Sequence, residues 1–355
     1  MPETSEQQPS KLFFLTSPVL ETVFALNALA HPERRQFLAG WAAEVEEQLT
    51  AAEQKWLAQL RKLPELFHEG DLVVQHRCFH DLTKLTTLIG QMSPDAYAAF
   101  LLGEVVTPER VKDLRSASNG AAELRSQYPW LWNGDEAVLA TIVYEAEQLK
   151  EATVGLLPRV WALGVEPMLP RLEPLWEETI AQAETEAQGK DPKAFTVGVF
   201  GKPFGRRYGP EYVFPQYGCV PTFFFSPMRV ALFEPSMAVV TLDCRLGPWT
   251  NMIARDRVVE GLRAIAEPSR LEILRVLAMD KGFNGWVAGR LKLNPATVTH
   301  HMNLLRQAGL LKEVEGPPGA AKYYRTDREA LQRLVKLLQD FVDSNIEPDW
   351  EGAKR

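Results

Sequence analysis

The side chains best suited to contact another molecule lie between Asn294 and Arg325, in NPATVTHHMNLLRQAGLL and the KYYR that follows it. Placed at 100° per residue on a helix starting at Pro295, Val298, Met302 and Leu305 share one face and must pack inward. Ala296, His300, Asn303 and Gln307 oppose them, with Thr297 and Thr299 flanking near the start. Small hydroxyl, amide and imidazole groups at the first turns of a helix can approach base edges in a groove, and a threonine methyl can meet a thymine methyl. Arg306, Lys322 and Arg325 supply positive charge suited to phosphates, which position a protein without reading sequence. Asn294 and His301 complete the helical candidates, although the angle of His301 sets it beside the Val298–Met302 face and gives it the more structural character of the pair. Tyr323 and Tyr324 alternate sides of a strand; the alternation leaves open which one packs inward, and Tyr324 is counted with the contact candidates.

These residues need a scaffold, and residues 251–343 supply its pattern. Arg257 to Ile265 and Arg270 to Met279 read as amphipathic helices, and Trp286 to Leu291 as a short one. Lys292-Leu293 turns the chain, Asn294 caps the next helix and Pro295 opens it. Gly309 stops that helix, after which KEVEGPPGAAKYYRT alternates as a hairpin with its tip at Gly316-Pro317-Pro318-Gly319. A last amphipathic helix spans Ala330 to Phe341. From Asn284 to Arg325 there are six Lys/Arg and two Asp/Glu, the bias of a surface that faces phosphates. The sequence therefore spells a winged helix-turn-helix.

The segments LRAIAEPSRLEILRVL, NPATVTHHMNLLRQAGLL and KYYRT resemble the ArsR-type winged-helix regulators over roughly the final quarter of the chain. That resemblance implies a homodimeric repressor whose recognition helix and wing contact an imperfect palindrome in double-stranded DNA. It also implies dimer contacts from the domain's first and last helices, the latter offering Leu331, Leu334, Val335, Leu338 and Phe341. Many members sense metals through cysteines on the helix before the recognition helix; here that helix reads GWVAGRL, without Cys or His, so no metal and no cofactor are expected. Residues up to about 250 resemble a large uncharacterised domain fused ahead of some ArsR-type modules, on the pattern SPVLETVFALNAL followed by Pro32 and Trp41. Only a regulatory or dimerising role follows from it.

At 355 residues, with 46% hydrophobic and 24% charged residues, the chain has the proportions of a globular protein of two or three domains. Its net charge of −7 conceals an asymmetry: residues 1–254 carry −10 and residues 255–340 carry +5. The expected fold class is mainly α with minor β (α+β). A helical domain over 11–250 is marked by Ser17-Pro18, Ser93-Pro94 and Thr107-Pro108 as helix starts and by amphipathic stretches from Phe37 to Leu60 and Glu136 to Val154. Within it, TVGVF, YVF, VPTFFFSPMRVALF and MAVVTL between 194 and 248 read as short antiparallel strands. Residues 1–10 and 346–355 are expected to be flexible tails.

Other chemistry finds little support in the residues. Cys78, Cys219 and Cys244 are widely spaced and odd in number, as buried free thiols would be. His76, Cys78, His80 and Asp81 form a compact donor cluster without a defined set of supporting groups, and are not taken as a metal site. No phosphate-cradling glycine loop, GxSxG elbow or HExxH occurs, so no enzyme is expected. The apolar run at Phe223 to Met228 reads as core rather than as the wall of a ligand pocket. Nothing resembles a signal peptide or membrane span, which points to the cytoplasm and to no membrane partner. The alternative reading is a winged helix serving protein association, attached to a ligand-binding or enzymatic domain; retained Arg306, Lys322 and Arg325 favour DNA. An effector, small molecule or protein, is expected at the N-terminal domain without an identifiable site.

Overall fold

Ser17, Ser93 and Thr107 each sit in extended backbone with the side-chain oxygen accepting an amide three residues on, so each opens a helix whose first residue is proline. The computed structural model describes residues 10–64, 68–201, 203–204, 212–226, 228–244, 258–259, 261–316 and 322–343. The expected tails (beyond Ser10), the hairpin tip from Pro317 onward and the junction 245–257 lie outside them. Among the described residues the fold is mainly α with minor β.

The chain divides into two compact units, one of residues 16–170 with 232–239, the other of residues up to 15, 171–231 and 240 onward. The first unit contains helices α1 (Pro18–Ala30), α2 (Ala39–Glu47), α3 (Ala51–Leu60), α4 (Glu69–Gln75), α5 (Leu82–Gln91), α6 (Pro94–Leu101), α7 (Pro108–Ser116), α8 (Gly120–Gln127), α9 (Glu136–Tyr144) and α10 (Ala146–Val160). Each of the long amphipathic stretches is two helices. The first breaks at Thr50, whose hydroxyl and Glu53 form a reciprocal capping box, and the second at Glu145. Helix α10 is the centre of the unit, packed against α1, α3, α5 and α6 with Leu149, Ala152, Leu156, Leu157 and Val160 fully buried. Each such leucine contributes about 1.5–3 kcal/mol of burial. Gly155 is needed where α3 crosses it, since a Cβ there would lie 2.4 Å from the Trp56 ring. Pro158 interrupts the hydrogen-bond ladder of α10, and a wide π turn over Trp161–Val165 follows it, its Gly164 carbonyl accepting the Trp41 indole N–H at 3.1 Å.

The second unit contains α11 (Leu169–Ala187) and α12 (Pro192–Phe200). TVGVF, expected as a strand, lies in α12: Asp191 accepts from the Ala194 amide, Pro192 opens the helix and Gly201 closes it at φ 87°. The cap and the proline outweigh the β-branched composition. The strands are β1 (Lys11–Phe14), β2 (Gln216–Thr222), β3 (Ala231–Glu234) and β4 (Met237–Asp243), in the sheet order β1-β2-β4-β3. The region is not wholly antiparallel as expected, because β1 pairs with β2 in parallel from Lys11↔Gln216 to Phe14↔Cys219. The expected YVF strand is irregular, and Phe223–Ser226 is a turn after β2 with all three phenylalanines buried. Cys78, Cys219 and Cys244 are buried free thiols, and burial pushes the Cys219 thiol up to about 12.

The winged helix-turn-helix belongs to this second unit. After a helical segment at 261–265 come α13 (Pro268–Met279), α14 (Asn284–Leu291), α15 (Pro295–Gln307), β5 (Leu311–Val314), β6 (Tyr323–Thr326) and α16 (Arg328–Asp343). Its core joins Ile273, Leu277, Val287, Val298, Met302 and Leu305 to Leu334 of the last helix.

Candidate nucleic-acid interface

Helix α15 is held at its start by three devices. The Asn294 side-chain Oδ1 accepts the Ala296 backbone amide at 2.8 Å, Pro295 fixes the first φ, and the Asn284 side-chain amide donates to the Thr299 hydroxyl at 3.2 Å, tying α14 to the exposed face of α15. The preceding turn bends at Lys292, which adopts a left-handed φ of 55° and is exposed. That conformation favours glycine, so a lysine there is strained by roughly 1 kcal/mol.

Val298, Met302 and Leu305 are buried, and Asn294, Ala296, Thr297, Thr299, His300 and Asn303 are exposed, as the helical angles require. His301 stands apart from this group. It is turned inward, 9% exposed, with its Nε2 3.5 Å from Glu267, the residue that caps α13. Burial holds the His301 imidazole below its ordinary range despite the opposing pull of Glu267, with Arg270 and His300 lowering it further. Burial pushes the Glu267 carboxyl up, yet amide hydrogen bonds from Ser269 and Arg270, together with His301, leave it below the usual carboxylate range.

The two wing strands pair antiparallel from Leu311↔Thr326 to Val314↔Tyr323, and Gly282 adds a third edge by exchanging both backbone hydrogen bonds with Tyr324. Lys322 and Arg325 are exposed, with Lys322 Nζ 3.5 Å from Glu313 across the ladder. Tyr324 is the inward tyrosine, 8% exposed, and its hydroxyl accepts from Arg306 at 3.3 Å. It therefore leaves the exposed contact group in which the sequence placed it. The strand alternation puts Tyr324 on the core face, while Tyr323 packs against Phe283 with ring centroids 5.3 Å apart. Arg306 is half-buried beside that hydroxyl rather than freely extended. A further exposed cation, Lys292, lies in the strained turn ahead of α15; only the missing glycine at a helix-to-helix turn marks it in the sequence.

Of the expected metal-capable cluster, Cys78 is buried, its thiol directed at the Leu72 and Val73 carbonyls, and Asp81 caps α5 through the Lys84 amide. Among the described residues no group of three or more His, Cys, Asp or Glu is arranged to hold a metal ion, and no helix is long and apolar enough to cross a membrane.

A helix-turn-helix with an exposed polar face on its second helix, followed by a basic two-stranded wing, defines the class of winged helix-turn-helix regulators. Residues 267–313 match the family model described as bacterial regulatory protein, arsR family, and the C-terminal module is an ArsR-type helix-turn-helix. The chain is 27% identical over 86 residues to an uncharacterized HTH-type transcriptional regulator of Methanocaldococcus jannaschii, covering 24% of this chain and 94% of that protein. It is 26% identical over 81 residues to the transcriptional repressor SdpR of Bacillus subtilis, covering 23% of this chain and 88% of that one. No solved structure matches the chain.

Proposed function

We propose that this chain is a sequence-specific transcriptional repressor that binds an imperfect palindrome as a homodimer and is controlled through the region ahead of its winged helix. The observation that carries this reading is the exposed face of α15. Thr297, Thr299, His300 and Asn303 are exposed along a capped helix, with Lys292, Lys322 and Arg325 exposed on the turn and wing that flank it in the chain. The four polar side chains read base edges, and the three cations with Arg306 hold phosphates. His301 and Tyr324 act from behind, His301 by setting α15 against Glu267 and Tyr324 by holding Arg306 of α15 to the wing strand β6.

Dimerisation is supported by apolar side chains left outside the winged-helix core. Ala330 and Leu334 of α16 are spent on that core, but Val335 (56% exposed) and Val342 (70%) face outward, as does Leu271 (52%) on α13. A two-fold axis sets half-sites about one helical turn apart, or a multiple of it. Repression accords with the named repressor among the relatives. Control works as a population shift, in which an effector favours one arrangement of the two reading heads.

Selection of random-sequence DNA by the full chain at two salt concentrations tests the reading. Enrichment of a palindrome, with affinity falling steeply as salt rises, is the expected result. A single asymmetric half-site would remove the dimer, and no enrichment at either salt concentration would leave the module as a protein-association surface.

A further inference from the structure

A cavity of about 300 Å³ lies inside the second unit, away from the exposed face of α15. One wall is apolar: Ala183 of α11, Ala194, Phe195 and Val199 of α12, and Leu242 of β4. Gly198 opens that wall, since a Cβ added there meets nothing within 4 Å. The winged helix contributes Lys312 from β5 and Asp327, Glu329 and Arg333 at the start of α16. The volume is at the lower end of that of small-molecule sites, and the lining is predominantly polar, with charged groups gathered around a smaller apolar patch.

Four carboxylates and four cations line the space, and they are not equally committed. Asp327 caps α16 through the Ala330 amide at 3.0 Å and lies 3.9 Å from Arg229, whose guanidinium also donates to the Val199 carbonyl. Glu186 accepts from Gln182 at 2.8 Å, Glu329 lies 3.7 Å from Arg333, and Asp243 is likewise engaged. On the positive side, Lys190 rests over the Phe195 ring at 5.6 Å, Lys312 makes no ion pair among the described residues, and the Arg333 Nε is buried without a hydrogen-bond partner among them. An orphaned buried guanidinium N–H is costly unless something accepts it.

We propose that this cavity binds a small organic carboxylate, its head on Arg333 and Lys312 and its apolar body along Phe195, Gly198 and Val199. Because both the carboxylate-binding side chains belong to the winged helix and the apolar wall does not, the occupant bridges α12 to β5 and α16. This goes beyond DNA recognition, and its binding is read without DNA, so either proposal can fail alone.

The test uses the full chain with sodium octanoate and sodium benzoate as probes and octylamine as the cationic counterpart. At saturation, at least one carboxylate raises the melting temperature by about 5 °C, and octylamine does not. Gly198→Leu fills the cavity from a position with open space and removes a mid-helix glycine, so it folds at least as stably as the parent while abolishing the shift. Arg333→Gln weakens carboxylate binding at least tenfold by calorimetry. The proposal is overturned if neither carboxylate raises the melting temperature of the parent, or if Gly198→Leu retains the full response.

Discussion

In the winged helix most of the residues with chemistry to offer stand outside a largely apolar core. The unit built around α10 sets charged and polar groups within its apolar interior: Glu21, Asn27, Arg35 and Glu69 are all buried, and the Tyr97 hydroxyl donates to Glu69 at 2.7 Å while lying 2.9 Å from the Thr153 hydroxyl. A polar group at the surface is available to a partner, whereas a satisfied network inside specifies one packing of the helices around it. The first kind of residue governs affinity and the second stability, and substitutions in the two regions should separate along that line.

The largest expected effect is on pH-dependent stability. Burial lowers His68, 4.9 Å from the Trp132 ring, to about 4 from an ordinary 6.5. A histidine with a depressed folded-state pKa contributes stability that is fully present above pH 6.5 and is lost as pH falls toward 4, here about 3 kcal/mol. Chemical denaturation of the full chain from pH 7.5 to 4 should show that loss, and His68→Phe should flatten it. His301 is lowered in the same direction, so the winged helix loses stability on acidification too, and His301→Gln removes that part. A profile unchanged by His68→Phe would contradict burial as the cause.

Next comes the network beneath α10. Tyr97→Phe removes the donor from a carboxyl that burial pushes above the usual range, and should cost about 1–3 kcal/mol without altering DNA affinity once the chain is folded. The raised Glu69 carboxyl also has a pH signature of opposite sign to that of His68. Its contribution is present below its ordinary value and lost as pH rises through the folded one, so Glu69→Gln should raise stability at pH 7.5 relative to pH 5. Unfolding curves at the two pH values decide it.

On the exposed side, Thr299→Ala or His300→Ala should change which bases are preferred at one or two positions, by about 1–3 kcal/mol each; His300→Ala should leave melting nearly unchanged, and Thr299→Ala should lower it slightly by removing the acceptor of the Asn284 amide. Arg306→Ala should weaken binding to all sequences alike. It should also loosen the wing slightly, because its guanidinium donates to Tyr324. Binding to a selected site and its single-base variants distinguishes these outcomes; uniform loss from all three substitutions would erase the division between readers and phosphate contacts.

The same contrast explains what the sequence disclosed. Asn294-Pro295, Ser17-Pro18 and Ser93-Pro94 are local devices, and each starts a helix where its residues say it should. The exposed and buried faces of α15 follow from angle alone, which is why most of the candidate interface was readable. Asp191-Pro192 carries the same signal, but the β-branched TVGVF behind it suggested a strand. The parallel pairing of β1 with β2 joins segments far apart in the chain, and no local pattern encodes a long-range register. His301 and Tyr324 have the right chemistry for contact, yet the one sits beside the apolar stripe and the other on the inner side of a strand.

Lys292 gives the smallest effect and the sharpest separation, because its two roles oppose each other. Its φ of 55° is easy for glycine and strained for any residue with a Cβ, so Lys292→Gly should raise stability by about 0.5–1 kcal/mol. The same substitution removes a phosphate contact from the turn ahead of the recognition helix. It should lower DNA affinity alike for all sequences and reduce the salt dependence by about one ion released. Lys292→Asn, which tolerates the left-handed region but lacks the charge, should match glycine in affinity and fall between glycine and lysine in stability. If Lys292→Gly melts higher while binding DNA unchanged, the lysine is only a strained turn residue and the phosphate contacts lie on α15 and the wing alone; if both change as expected, strain at this turn is kept because a charge is needed there.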